Sequence, residues 1–240
     1  RTVYIGASSY AVTFDAALSG TGNSGLIKAG TGVLVLDADN TYAGLTVLSA
    51  GTLQVGNGGV SGTLGAGTVT NNSKFVINRS NGYNLTNLIV GSGTLLKLGI
   101  GTLTLSAANT YSGATTVSNG TLTAGCDSAL NGNSALFLSG GTFDAGSVSN
   151  ALGALTLSTG SANALTVNSD CRLSFSGMSG AGTLVVAGKL GPTSLRIGTN
   201  ANSLTLPQLR QISTSTGGSV YLDANGFVLA TPQGTILLLR

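Results

Sequence analysis

Apolar residues alternate with small polar residues in short runs along most of the chain. In residues 101–106 (GTLTLS) and 154–158 (ALTLS), Leu alternates with Thr or Ser. A period of two in such runs predicts short strands with one buried face. Clusters of Gly, Asn and Ser separate the runs and supply turns. We therefore expect an all-β protein built from strand-and-turn units of about 7 to 10 residues.

Two long segments of the chain repeat each other without a gap. Residues 25–56 align with residues 94–125, so that Lys28 falls on Lys97 and the Asn-Thr-Tyr block at 40–42 falls on 109–111. A sandwich has no reason to duplicate so long a block, whereas a solenoid stacks similar coils. At ~22 residues per coil and ~4.8 Å between strands, the chain would form about ten coils in a rod ~50 Å long. The repeat predicts a single-stranded right-handed parallel β-helix (β-solenoid).

The charge content excludes several classes of function. Charged residues make up 7% of the 240, all seven acidic residues are Asp, and the chain has no His. Without His, catalytic triads and His-based zinc sites are excluded. A net charge of +3 is too small for a nucleic-acid-binding surface. No run approaches the 18 or so apolar residues of a membrane span, so we expect none.

The repeated residues also resemble a known family. The pattern Lys-x-Gly-x-Gly-Thr-Leu-x-Leu, then Asn-Thr-Tyr-Ser-Gly and Gly-Thr-Leu, at residues 94–125 is similar to the autotransporter-associated β-strand repeat. Residues 25–56 match it with departures at Asp37, Asp39 and Leu45. The resemblance implies the β-helix of a bacterial passenger domain or long secreted surface protein. Such repeats serve mainly as stalks and scaffolds.

The C-terminal part is expected to differ from the rest. We predict a β-helix over residues 1–200 and a capping module over 201–240, which is similar to the closing module of some of these proteins. Thr205 and Gln208 form a capping-box pattern, with Pro207 in the first turn of a short helix. Leu206, Leu209 and Ile212 would share one face of this helix and cover the end of the coil stack.

Asp37 and Asp39 are the most interesting acidic residues. At positions i and i+2 of a strand their side chains would lie on one face. Such a pair suits a polysaccharide-cleaving enzyme or a calcium ion. The second repeat has Ser106 and Ala108 at these places, which favours an exposed corner that tolerates acids. We therefore predict no catalytic, cofactor-binding or metal site.

Other motifs have structural interpretations. The GxGxxG run at 20–25 and the Asp-Ala-Asn-Gly run at 223–226 are interpreted as turns. The repeated Asn-Thr-Tyr blocks are expected to be structural, with Asn at a turn and Tyr at a coil edge. Lys28 and Lys97 are expected to be solvated.

The two cysteines leave two alternatives open. Cys126 and Cys171 lie about two coils apart, roughly 9.6 Å at the inter-strand spacing. A disulfide needs Cα atoms within about 7 Å. A bond and two buried free thiols are both compatible with the sequence.

Taken together, these observations predict a non-enzymatic structural module that is secreted or lies on the cell surface. Residues 1–5 (RTVYI) and 235–240 (TILLLR) read as strands at the two ends. Unpaired strand edges recruit further strands, so head-to-tail filaments of this chain are expected. Two alternatives are a monomeric adhesin that binds surface glycans and a polysaccharide-active enzyme that uses Asp37 and Asp39. No cofactor is expected.

Overall fold

A computed structural model describes residues 2–6, 11–200, 202–217 and 220–230. Successive strands stack in parallel into a β-solenoid, which confirms the predicted fold class. The stack has about nine turns, one fewer than expected. Val33 pairs with Thr52 and Thr52 with Lys74, so one coil takes about 20 residues.

The strands are short and follow one another with little between them except turns. In chain order, they and the helix are β1 (Thr2–Tyr4), β2 (Ala11–Phe14), β3 (Leu26–Ala29), β4 (Val33–Leu36), β5 (Thr46–Leu48), β6 (Thr52–Val55), β7 (Val69–Asn71), β8 (Lys74–Ile77), β9 (Tyr83–Leu85), β10 (Ile89–Val90), β11 (Thr94–Lys97), β12 (Thr102–Leu105), β13 (Thr115–Val117), β14 (Thr121–Ala124), β15 (Leu136–Leu138), β16 (Thr142–Asp144), β17 (Ser149–Leu152), β18 (Leu155–Leu157), β19 (Asn163–Val167), β20 (Arg172–Phe175), β21 (Met178–Gly180), β22 (Leu184–Gly188), β23 (Leu195–Ile197), α1 (Leu206–Arg210), β24 (Ile212–Thr214), β25 (Val220–Leu222) and β26 (Val228–Ala230).

The coils have three faces. The first face begins with β1, β3, β5, β7 and β10 and ends with β17, β20 and β23. Residues 109–110 and 128–130 connect β10 to β17 by hydrogen bonds. The second face is a nine-stranded sheet of β2, β4, β6, β8, β11, β13, β15, β18 and β21. The third face carries β9, β12, β14, β16, β19, β22 and β24.

The core runs along the axis and follows from the alternation. In β12, Leu103 and Leu105 are fully buried, while Thr102 and Thr104 point outward. Leu103 pairs with Leu122 of the next coil, so like side chains stack in register. Full burial of one such side chain stabilises the fold by about 1.5–3 kcal/mol. The core is therefore a continuous aliphatic column.

Glycine holds the same turn in both repeats. Gly51 and Gly120 have φ of +69° and +62°, in the left-handed region that favours glycine. A Cβ at either would also clash with backbone carbonyls of the coil beneath, including Gly32 O or Gly101 O. The Gly-Thr-Leu motif therefore encodes a turn, an outward Thr and an inward Leu.

The second repeat is turned by one face relative to the first. Lys28 lies in β3 on the first face, whereas its counterpart Lys97 lies in β11 on the second. Between them the chain completes three coils, through β5, β7 and β10, and then one further side. The sequence had suggested that equivalent residues of the two copies stack over each other, but the structure places them on different faces.

Helix α1 lies over the end of the second face. Its capping box of Thr205 and Gln208 is present as predicted. Gln208 Nε2 donates to Met178 O at 2.7 Å, and Gln211 Nε2 donates to Gly180 O at 3.3 Å. These bonds occupy carbonyl groups of β21, the last strand of that face.

The predicted apolar face of the helix is wrong. The helix ends at Arg210, so Ile212 belongs to β24 instead. Leu206 is 63% exposed, and only Leu209 packs against the core. One turn of helix is too short to present three residues on a common stripe.

The first face ends under a hairpin, and the third face ends in β24. Strands β25 and β26 are antiparallel, and Gly226 O in their turn accepts from Ile197 N of β23 at 3.0 Å. Strand β24 pairs in parallel with β22 and continues the third face. Strand β24 thus belongs to the coil stack although it lies beyond residue 200, the predicted end of the β-helix. The division into two domains stays a prediction.

Candidate functional site

Asp37 and Asp39 follow β4, at the corner between the second and third faces. Asp39 Oδ1 accepts from Gly62 N at 3.0 Å and lies 3.7 Å from Arg79 Nη1. Asp37 Oδ1 is buried without a protein partner in the described residues. One acid is thus engaged by the next coil.

The candidate calcium site has few ligands. Calcium takes six to eight oxygen ligands, usually from several carboxylates. In the described ranges no three Cys or Asp side chains cluster closely enough to hold a metal ion. The carboxylate of Asp39 also lies beside the buried guanidinium of Arg79, which would compete with a calcium ion for it.

Arg79 is a buried residue that sequence reasoning missed. Its Nη1 and Nη2 donate to Gly62 O and Val60 O, and its Nε donates to Asn81 Oδ1 at 3.1 Å. The guanidinium lies 4.9 Å from the ring centre of Tyr83, in cation–π geometry. Arg79 therefore clamps the glycine-rich loop at 56–62 against the coil above. A lone Arg in an almost uncharged stretch was the signal available.

Lys28 and Lys97 are buried, so the prediction that they are solvated is wrong. Lys28 is 0% exposed, and its Nζ donates to Ala29 O and Gly30 O at 2.9 and 2.7 Å and to Ala50 O, one coil above, at 3.2 Å. Each lysine occupies an inward position at the end of a strand, where its stem packs in the core and its amine reaches a turn. Because residues two apart in a strand share a face, the position of Lys28 two residues after the apolar Leu26 could have indicated that it points inward.

Lys97 repeats the arrangement one face further on. Its Nζ donates to Gly99 O and to Asn119 O, the latter at 3.3 Å. Burial lowers the pKa of both amines, and that of Lys97 to about 8, because the core disfavours the charged form. The lysines are therefore internal cations that tie two coils together through backbone carbonyls.

The repeated asparagines bridge neighbouring coils, which confirms their structural interpretation. Asn109 Oδ1 accepts from Ile89 N at 2.8 Å in the coil below. Its Nδ2 donates to Ala129 O at 2.7 Å in the coil above. Asn40 makes the same two kinds of contact in the first repeat. Each side chain satisfies backbone groups that no strand pairs.

The repeated tyrosines lie in the core rather than at a ligand-binding surface. Tyr42 and Tyr111 are 2% and 0% exposed. The hydroxyl of Tyr42 is 2.6 Å from Thr46 Oγ1, and that of Tyr111 is 2.6 Å from Thr115 Oγ1. Burial raises the pKa of both phenols. Neither ring is available for stacking on a sugar.

Cys126 and Cys171 are free thiols. Ser128 N donates to Ser149 O, and Ser149 pairs with Arg172, so the two corners lie two coils apart. The structure thus resolves the alternative that the sequence left open. Burial raises the pKa of both thiols, which disfavours the nucleophilic thiolate.

The two remaining motifs are turns, as predicted. The GxGxxG run at 20–25 leads into β3 and not into a helix, so it lacks the context of a dinucleotide site. Asp223 Oδ1 accepts from Asn225 N and Phe227 N at 2.8 and 2.9 Å, which closes the hairpin turn.

The repeats match a known family. The family described as passenger-associated-transport-repeat matches residues 26–55 and 95–124. Over 75 residues, or 31% of the chain, the sequence is 39% identical to the adhesin BmaC autotransporter of Brucella suis biovar 1 (strain 1330). That stretch covers 2% of the relative's length. No solved structure matches.

In the described part of the chain, no helix is long and apolar enough to cross a membrane. The paired lysines, asparagines, tyrosines and glycines all lie in the segments that the family matches. The contacts of the lysines and asparagines join one coil to the next, as a repeat that builds a solenoid requires. Residues 26–55 and 95–124 of this parallel β-solenoid are thus similar to the passenger-associated-transport-repeat.

Proposed function

We propose that this chain is a rigid, non-enzymatic scaffold segment of a secreted or cell-surface protein of the autotransporter-adhesin type. The observation that carries the proposal is the use of the repeated polar side chains. Lys97, Asn109 and Tyr111 all point inward and bond to the protein itself. A repeat whose polar side chains bond within the protein in this way stabilises a rigid rod and does not present these groups to a substrate.

Several observations support the proposal over the enzyme alternative. The matched family is a passenger repeat, and the relative is named as an adhesin. Asp39 accepts from Gly62 N and lies 3.7 Å from Arg79 Nη1, so its carboxylate is already engaged by the protein. Glycan binding through the outer surface is the mode of adhesion that we propose for such a scaffold.

The test combines binding and hydrolysis on the same preparation. The chain is applied to a glycan array and incubated with the same polysaccharides, and released reducing ends are measured. We expect binding without release, unchanged in the Asp37→Asn/Asp39→Asn double variant. Reducing ends that the wild type releases and the double variant does not would establish the enzyme instead. Absence of binding to any glycan would remove the adhesive part of the proposal.

End-to-end self-association stays a prediction. Strand β1 is present where the sequence predicted it, and β3 is its partner. The other predicted strand, at residues 235–240, lies outside the described residues.

A further inference from the structure

Five asparagines of the chain are followed directly by glycine, at residues 57–58, 81–82, 119–120, 131–132 and 225–226. Such a pair can modify itself, because the glycine nitrogen can attack Cγ of the asparagine and displace ammonia. The product is a cyclic succinimide, which water then opens. Glycine favours the attack because it has no Cβ to hinder it. The nitrogen and Cγ also have to lie about 3–3.5 Å apart, so the fold decides which pair reacts.

Two of the pairs are protected because the glycine nitrogen is held elsewhere. At 57–58 this nitrogen donates to Asn78 O at 2.8 Å, and at 225–226 it donates to Asp223 O at 3.0 Å. The proton that has to be lost before the attack is occupied in both pairs, and turning the nitrogen toward Cγ would break the bond. We expect these two pairs to react slowly.

Two further pairs are protected because the asparagine amide is held elsewhere. At 81–82 the side-chain oxygen accepts from Arg79 Nε at 3.1 Å. At 131–132 the amide donates to Thr110 O at 3.1 Å and accepts from Asn133 N at 3.3 Å. Moving Cγ onto the glycine nitrogen would break these contacts, so both pairs are also expected to react slowly.

The pair at 119–120 is arranged differently. Gly120 N donates to Oδ1 of Asn119 itself at 2.8 Å, so the nitrogen already lies beside the amide that it has to attack. Strand β14 begins one residue later, at Thr121, so this nitrogen is not part of the strand ladder. Asn119 is exposed, which gives water access to the amide. The geometry thus favours this pair over the other four.

Lys97 brings a cation to the same turn. Its Nζ donates to Asn119 O at 3.3 Å, and this oxygen belongs to the peptide group that contains Gly120 N. A cation on the peptide oxygen eases loss of the nitrogen proton, because it stabilises the negative charge that develops there. In the succinimide the same contact activates the former backbone carbonyl carbon toward water. Attack at that carbon leaves residue 119 linked to Gly120 through Cγ, which is an isoaspartate.

We propose that Asn119 is a self-modification site at which the folded chain converts asparagine into isoaspartate. The bond from Gly120 N to Cγ forms as the Cγ–Nδ2 bond breaks and ammonia leaves. Water then adds to the former backbone carbonyl carbon and breaks its bond to Gly120 N. The net reaction takes up one water and releases one ammonia, so it needs no oxidant or cofactor. The freed carboxylate carries the oxygen that Lys97 already contacts, and the product is an ion pair with this buried amine.

The rates at the five pairs test the proposal. The folded chain is incubated at neutral pH and digested at acidic pH, and its peptides are quantified by mass spectrometry, with an isoaspartate-specific methyltransferase to identify the product. Residue 119 should convert at least about tenfold faster than any other pair. In guanidinium chloride the five pairs should react at similar rates, because glycine follows each asparagine. Equal rates in the folded chain, or an unchanged ranking in the unfolded chain, would overturn the proposal.

The first repeat supplies a matched control. It has Ala50 and Gly51 at the places of Asn119 and Gly120, and Lys28 Nζ donates to Ala50 O at 3.2 Å. Asn119→Ala should therefore fold and lose the modification, whereas Ala50→Asn should create a second reactive pair. An Ala50→Asn chain that converts at residue 50 no faster than at 57–58 would show that this turn does not promote the reaction.

The role of the cation is tested by Lys97→Met. This variant should convert Asn119 at least about tenfold more slowly and give a smaller share of isoaspartate in the product. Lys74→Met, at an exposed lysine, should leave the rate and the share unchanged. Equal rates in Lys97→Met and wild type would overturn the role assigned to the lysine. If Lys97→Met fails to fold, Ala50→Asn and the wild-type rates decide, and neither depends on the proposed scaffold function.

Discussion

The buried amine of Lys97 gives a prediction about stability and pH that can be worked through. Its pKa falls from 10.5 to about 8 in the folded chain, whereas the unfolded chain keeps the ordinary value. Between these values the unfolded state binds more protons than the folded one, so stability rises with pH. From pH 7 to pH 9.5 this one group raises the free energy of unfolding by about 2 kcal/mol. Lys28 adds a change of the same sign, because its pKa is also lowered.

The pH response is best measured against Lys97→Met, which keeps the stem and removes the amine. Loss of the amine also leaves Gly99 O and Asn119 O without this donor, which costs about 1–3 kcal/mol per group at every pH. That cost cancels when the change between pH 7 and pH 9.5 is compared. Urea unfolding at both values should therefore show a gain that is about 2 kcal/mol smaller in the variant than in wild type.

The control and the upper pH limit follow from the same structure. Lys74 is exposed on β8, so Lys74→Met should keep the wild-type response. Above about pH 10 the sign reverses, because the raised pKa of Tyr111 means that its buried phenol must stay protonated in the fold. Equal gains in wild type and Lys97→Met between pH 7 and pH 9.5 would refute the assignment of a buried cation. The wild-type curve alone does not decide, because the raised pKa values of the two thiols act in the opposite direction.

Two further substitutions address the contacts between coils. Arg79→Met leaves two carbonyls of the 56–62 loop without donors and should cost about 2–4 kcal/mol in urea unfolding, with faster proteolysis inside that loop. Unchanged cleavage of the loop would show that the guanidinium does not hold it. Asn109→Leu leaves one backbone donor and one backbone acceptor, on different coils, without a partner, and should lower the free energy of unfolding by about 2–4 kcal/mol. Asn133→Ala, at an exposed position, should change it by no more than about 0.5 kcal/mol. Equal losses in the two asparagine variants would contradict the bridging role.

The strands and the solenoid could be predicted because they depend on local alternation and on repetition. The run from Thr102 to Leu105 shows its buried face directly, and the duplicated block excludes a simple sandwich. The same alternation placed Lys97 inward, but its charge made an exposed position look more plausible. The error came from giving residue type more weight than position, although a long stem can bury itself while its amine reaches backbone carbonyls.

Contacts between coils could not be predicted from the sequence. Arg79 bonds to Val60 and Gly62, residues of the previous coil whose register depends on the length of the intervening turns. The length of helix α1 was equally hidden, because the capping box marks its start while the ladder between β22 and β24 decides its end. Tertiary pairing overrides local propensity at such places.

The rotation of the repeat determines how its residues are distributed over the outer surface. Because β3 and β11 carry equivalent residues on different faces, two copies at this spacing do not build one uniform surface. The recurring Lys, Asn and Tyr residues are turned inward, whereas the recurring Thr41 and Thr110 are exposed. Outward residues that do not recur, such as Phe137 on the second face and Val185 on the third, each partly exposed, differ from coil to coil. On the proposal of an adhesive scaffold, recognition would use these variable outward positions while the repeated interior keeps the stack intact.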